Sequence, residues 1–156
     1  MSRPPAQVSG FTLVELVVTM AVVAILASMA VPSFRNMMAQ SEMRAVSTAL
    51  SLSMTRARSE ATKRSATITV ARKSGQWTSG WEIKDPANVV VAEQGPVTHV
   101  TFSSAPASVV YLSSGRVRGN PDDNEFTLTS TRLASVVRCV SVDARGAPTI
   151  KEEACS

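Results

Sequence analysis

The chain has 156 residues, one histidine, two cysteines and a formal charge of +4. That length suits one domain plus a long helix, and so few histidines and cysteines speak against a metal centre, which needs several such ligands. The whole +4 falls on residues 33–64, where Arg35, Arg44, Arg56, Arg58, Lys63 and Arg64 oppose only Glu42 and Glu60; residues 65–156 are neutral overall, which argues against a strong general affinity of that region for nucleic acid.

The first element is an apolar helix. Residues 11–31 contain one charge, Glu15. About 20 apolar residues cross a bilayer core of roughly 30 Å, so the segment is long enough to span a membrane. A carboxylate inside such a span costs on the order of 2.5–3.5 kcal/mol and points to a specific partner. An amine is the nearest one, and a cut just before Phe11 would create it. An ordinary secretory signal has a basic start and an apolar core of about 7–15 residues. Here the start holds only Arg3, the apolar run is longer, and Glu15 lies inside it, although Ser28-Met29-Ala30 passes as a cleavage site. A plain anchor explains the length but not the carboxylate.

Pro32 removes a backbone donor and crowds the preceding turn, which predicts a kink or local opening. Helical patterning then resumes. Phe34, Met38, Ala45, Ala49, Leu50, Leu52, Ala57 and Ala61 recur at spacings of three and four, an amphipathic helix with one face to cover. As one helix, residues 11–63 would reach roughly 80 Å at 1.5 Å per residue. A soluble region of this size cannot cover that length, so the first half must lie in lipid or among partners. Six of the seven methionines fall between Met1 and Met43; such side chains suit adaptable helix contacts as well as lipid contact and core filling.

After Lys63 the composition turns to Val, Thr and Ile with Gly and Pro punctuation. Strands are expected at residues 67–73, 81–84, 89–93, 97–102, 109–112, 126–130 and 135–142. Turns are expected at Ser74-Gly75, Asp85-Pro86, Gly95-Pro96, Gly119-Asn120-Pro121 and Arg145-Gly146. One long helix followed by short antiparallel strands is an α+β domain, with the C-terminal half of the helix laid on the sheet.

Gly10-Phe11-Thr12-Leu13-Val14-Glu15 resembles the class III signal of type IV pilins and type II secretion pseudopilins: a short leader ending in Gly, then Phe, then a carboxylate opening an apolar helix. The resemblance implies the type IV pilin fold, a long kinked N-terminal helix, transmembrane in its first half, packed on an antiparallel β-sheet domain. It implies that prepilin peptidase, a membrane enzyme, cuts between Gly10 and Phe11 and N-methylates Phe11. Residues 1–10 are then the leader, 11–31 the transmembrane and filament-core helix, 32–64 its amphipathic continuation, and 65–156 the antiparallel β domain. Glu15 becomes the fifth mature residue and Pro32 the twenty-second, where many of these proteins have a proline. An α-amino group with a reference pKa of about 7.7–8.0 is mostly cationic at neutral pH and stays so when methylated. Glu15 lies one turn away, or meets the amine of a neighbouring subunit. Breaking a charge pair in an apolar interior is strongly destabilising, and the pairing is expected to set axial register. The implied location is the bacterial inner membrane, single-pass with a periplasmic C-terminal domain, and then a pilus or pseudopilus. The implied partners are prepilin peptidase, other pilins or pseudopilins through the helix, and inner-membrane lipid.

Further along, Thr55-Arg56-Ala57-Arg58-Ser59-Glu60-Ala61, a hairpin at Trp77 and Trp81, the turn between Tyr111 and Gly119 before Phe126-Thr127-Leu128, and Arg138-Cys139-Val140 are similar to the GspH/FimT branch. That branch holds a minor pseudopilin of type II secretion and minor pilins of type IV pili. Cys139 and Cys155 are expected to form a disulfide, in keeping with an oxidising periplasm, and the pair leans towards the minor pilins. Some minor pilins of this branch bind DNA in natural transformation through a C-terminal Gly-Arg-x-Arg loop. Gly115-Arg116-Val117-Arg118 has those letters but precedes the Phe126 strand. The loop after the Cys139 strand, Asp143-Ala144-Arg145-Gly146-Ala147-Pro148, has one arginine. The alternative function, a DNA-uptake minor pilin, needs Arg116, Arg118, Arg138 and Arg145 to converge on one face and hold phosphates.

No catalytic set is expected. His99 falls on an expected strand with no acidic group near it in sequence. No phosphate loop occurs, and Asp122-Asp123-Asn124-Glu125 lacks the ligand spacing of an EF-hand and reads as a solvated turn. The expectation is a structural subunit with no catalytic residue, metal or cofactor.

Overall fold

The structure is a computed structural model and describes residues 11–155. They form two units that meet between Asn36 and Met37. One helix, α1 (Leu13–Arg64), contributes to both.

In the first unit, residues 11–36, every side chain is exposed. Pro32 lies inside the helix, with helical residues on either side. Two of the hydroxyls in this stretch turn back onto the helix: Thr19 Oγ1 donates to the Leu16 carbonyl at 2.8 Å and Ser28 Oγ to the Ile25 carbonyl at 2.7 Å. That leaves few unsatisfied polar groups on an apolar rod, as a lipid environment requires.

The second unit pairs the rest of α1 with eight strands: β1 (Ile68–Lys73), β2 (Gln76–Lys84), β3 (Val90–Gln94), β4 (Val100–Ser104), β5 (Ser108–Tyr111), β6 (Glu125–Ser130), β7 (Val137–Val142) and β8 (Pro148–Lys151). They make two antiparallel four-stranded sheets, in the orders β3-β2-β1-β5 and β4-β6-β7-β8. The chain changes sheet after β3, returns for β5, and changes again before β6. β8 was not expected; its opening proline is tolerated because the strand is the edge of its sheet. Trp77 and Trp81, expected on a hairpin, lie on the single strand β2. The hairpin is one step earlier, at Ser74 and Gly75, which both have positive φ (47° and 76°), the conformation of a tight two-residue β-turn.

The covered face of α1 is Ala39, Met43, Val46, Ser47, Leu50, Met54, Ala57 and Ala61, a run of threes and fours. Three of these were expected. Leu52, Met38, Phe34 and Ala45 are exposed instead. At about 100° per residue Leu50 and Leu52 lie on opposite sides of a helix, so they cannot share a face, and Met43 and Met54 take the missing positions. These side chains join Ile68, Val70, Trp81, Val109, Phe126, Leu128 and Val140 in one apolar cluster that reaches both sheets. Trp77 packs edge-on to Phe126 with centroids 4.9 Å apart. Both indoles are satisfied, Trp81 Nε1 donating to Ser53 Oγ at 2.9 Å and Trp77 Nε1 to the Pro106 carbonyl at 2.7 Å.

His99 is not on a strand. It is exposed, adopts φ 62° just before β4 and approaches Arg132 Nη2 at 2.9 Å. Arg132 Nε in turn donates to both carboxylate oxygens of Glu42 on α1, at 3.0 and 2.9 Å. The acid absent from the neighbourhood of His99 in sequence comes from the helix. The disulfide between Cys139 and Cys155 is present and closes a separation of 16 residues. It holds the chain after β8 across the second sheet, where the Cys155 amide donates to Thr127 Oγ1 at 3.3 Å.

Candidate functional site

The expected processing and assembly residues lie at the start of α1. Gly10 and the bond after it fall outside the described residues, as does the leader. Phe11, just inside, is 83% exposed. Thr12 caps the helix: its Oγ1 accepts from the Glu15 amide at 3.2 Å and its carbonyl from the Leu16 amide at 3.2 Å. Thr12-Leu13-Val14-Glu15 therefore has the Thr-x-x-Glu order of a capping box, a signal visible in the sequence that the reading above did not use. Glu15 stands in the first turn, where the helix dipole favours an anion. The carboxylate thus has a local reason to sit here as well as a partner to seek: it helps open the helix, and it remains exposed. Around it the helix carries a long apolar surface with nothing covering it; Val14, Val17, Val18, Met20, Ile25 and Leu26 are all at least half exposed. Among the described residues one helix is long and apolar enough to cross a membrane, and it is this one.

The four arginines of the DNA-uptake alternative separate. Arg138 is buried on β7, opposite Leu128. Its Nη2 donates to Glu152 Oε1 at 2.6 Å, and its Nε has no partner. Arg138 is thus a core-side residue that ties down the C-terminal segment, and it does not contribute to an exposed basic face. The turns that carry Arg116 and Arg145 do come together. Gly146 follows Arg145 and has φ 80°, and a Cβ there would overlap the Gly115 carbonyl. Only glycine permits this approach, which lays the turn after β7 on the turn after β5. The same contact brings in Arg58 from α1, whose Nε lies 3.5 Å from where a Gly115 Cβ would be. Arg58 was not anticipated as part of this cluster, because nothing in the sequence links it to residue 115. Arg118 is exposed and lies beyond the turn, its amide donating to the Val110 carbonyl at 2.8 Å. Acid tempers the cluster: Asp143 sits 3.7 Å from Arg145. Beneath it the Tyr111 phenol is fully buried and has no hydrogen-bond partner. Burial pushes its pKa well above the ordinary 10, with Arg58 acting to lower it and Asp143 to raise it. The site offers guanidinium groups suited to an anion, tempered by the Asp143 carboxylate.

Comparison with known proteins agrees with this anatomy. Residues 47–146 match the family described as type II transport protein GspH, and residues 6–31 match the prokaryotic N-terminal methylation motif. No curated protein matches the chain. Among solved structures, the fold is similar to the type IV minor pilin FimU of Pseudomonas aeruginosa in two crystal forms. One has a TM-score of 0.58 at 20% identity, covering 72% of this chain and 97% of that one. The other has a TM-score of 0.56 at 21% identity, covering 73% and 90%. Identities this low speak for the fold alone.

Proposed function

We propose a role for this chain from one premise: it belongs to the GspH family and is a type IV minor pilin-like protein with the type IV pilin fold. The N-terminal methylation motif implies processing by prepilin peptidase and assembly with other pilins. The finer reading is that the chain is cut between Gly10 and Phe11, is methylated on Phe11, waits in the inner membrane with its β domain in the periplasm, and then enters the tip or initiation complex of a type IV pilus or type II secretion pseudopilus through residues 11–31. The observation that carries it is the fully exposed apolar segment with one carboxylate in its first turn. Such a surface is soluble only in lipid or against other apolar helices. In a filament the Glu15 carboxylate pairs with the methylated amine of a neighbour, where an unpaired charge is costly.

Glu15→Leu removes the charge and keeps the apolar helix. Membrane insertion should persist while incorporation into filaments, read by shearing and immunoblotting, falls at least about tenfold. Normal incorporation of the variant would refute the register role of Glu15. Mass analysis of the mature N-terminus gives the processing step directly; a chain starting at or near Val31 would mean an ordinary signal peptide.

The second reading, a minor pilin that binds DNA, is favoured by the contact of Gly115 with Gly146, which brings the turns carrying Arg116 and Arg145 together beside Arg58. It predicts salt-sensitive binding of duplex DNA by the full chain, weakened uniformly across sequences in Arg116→Gln/Arg145→Gln. Absence of a mobility shift at low salt removes this reading.

A further inference from the structure

We propose that the cleft between the start of β2 and the edge strand β4 binds an extended, acid-bearing peptide segment of another polypeptide, which adds as a strand to β4. The cleft has a volume of about 440 Å³ and is bordered by Arg72, Gln76, Trp77, Thr78, Phe102 and Ser103. It lies where the two sheets part.

One wall has an unused strand edge. β4 pairs only with β6, so its other edge carries no strand. β2 pairs with β3 only through residues 81–84, and beyond them the segment after β3 runs beside Thr78 and Gly80, so the free edge at the cleft is that of β4. A short free edge is a template for strand addition, in which main-chain hydrogen bonds give affinity and alternate side chains give choice. Two bonds fix the separation of the walls. The Val97 amide donates to the Thr78 carbonyl at 2.9 Å, and Trp77 Nε1 donates to the Pro106 carbonyl at 2.7 Å.

Register irregularities flank the cleft on both walls, between Arg72 and Lys73 on β1 and between Phe102 and Ser104 on β4. Bulges of this kind re-aim side chains and gather next to sites. Arg72 precedes the first of them and keeps the regular row of β1. Ile68 and Val70, on the same row of β1, are buried in the core, and the next residue of that row carries a guanidinium to the cleft. Arg72 makes no ion pair among the described residues. A cation at the rim of a strand edge selects an acid on the added strand. The floor does not suit a sugar, because the Trp77 ring is 3% exposed and offers no face for stacking.

The test uses the full chain in detergent micelles and six blocked hexapeptides of alternating Thr and Val, with Glu at each position in turn. Hydrogen exchange of the Val100–Ser104 amides is expected to slow with at least one of them at millimolar concentration. The same peptide with alternate amides N-methylated should have no effect. Arg72→Gln should weaken the Glu peptide about threefold, the size of an exposed ion pair, and leave its Gln analogue unchanged; unaltered exchange in β6 and β7 shows that this variant is folded. Exchange indifferent to all six peptides, or a response to the N-methylated peptide, overturns the proposal. So does protection by chitotetraose instead, which would make the cleft a saccharide site. None of these outcomes bears on assembly through α1.

Discussion

Tyr111 shows how a single buried group sets a measurable property. Its hydroxyl is fully buried and unpartnered, and burial raises its pKa above the ordinary 10. Above that pH the unfolded chain releases the phenolic proton while the folded chain keeps it, so stability falls as pH rises. On the acid side, a hydrogen bond from Arg64 holds the Glu60 carboxyl below its ordinary 4.5, and one from Lys84 does the same for Glu82. Their contribution is complete above about pH 4.5 and is lost as pH falls through the lowered values. Denaturant melts across pH should therefore decline at both extremes. In Tyr111→Phe the alkaline decline should vanish, with stability at neutral pH unchanged or raised by up to about 1 kcal/mol, because an orphan hydroxyl is removed from the interior. A loss above about 2 kcal/mol would mean that the phenol has a partner after all.

Among the elements, α1 separates what pattern reveals from what packing selects. Its existence, length and amphipathic character follow from spacing, since threes and fours of apolar residues specify a helical stripe whatever lies opposite. Which stripe is covered does not follow, because Leu50 and Leu52 are chemically equal. Leu50 is fully buried, and Leu52 is 63% exposed. Leu50→Ala is expected to cost about 2–5 kcal/mol of unfolding free energy, and Leu52→Ala within about 0.5 kcal/mol; thermal or urea melts of the two variants decide it, and equal losses would contradict the observed face. The strands behave alike. Alternation and turn residues located seven of the eight to within a few positions. β8 escaped because it is only four residues long, opens on proline and ends on lysine with two glutamates behind it; it pairs with β7, and a disulfide fastens the segment that follows.

For the molecule as a whole, the Cys139–Cys155 bridge, the Arg138–Glu152 pair and the Gly115–Gly146 contact draw the C-terminal third together. Cross-links of this loop size contribute about 3 kcal/mol in the chain-entropy model. Cys139→Ser/Cys155→Ser should lose about that much by denaturant melts, with exchange protection lost first in β8; full retention of stability under reductant would show the bridge to be dispensable. The candidate sites divide along the same line. Phe11, Glu15 and Pro32 stand out in the sequence because the signal is local, a few residues with a definite order at the start of one helix. The turns carrying Arg116 and Arg145 meet only because Gly146 admits a carbonyl that any side chain would exclude, and the surroundings of Arg58 and Arg138 come from parts of the chain distant in sequence. Local order and periodicity are properties of neighbouring residues, so the sequence by itself determined the leader motif, the long helix and the α+β class. The division into two sheets, the covered face of α1 and the company each arginine keeps depend on which distant surfaces exclude water together, and only the tertiary structure decided them.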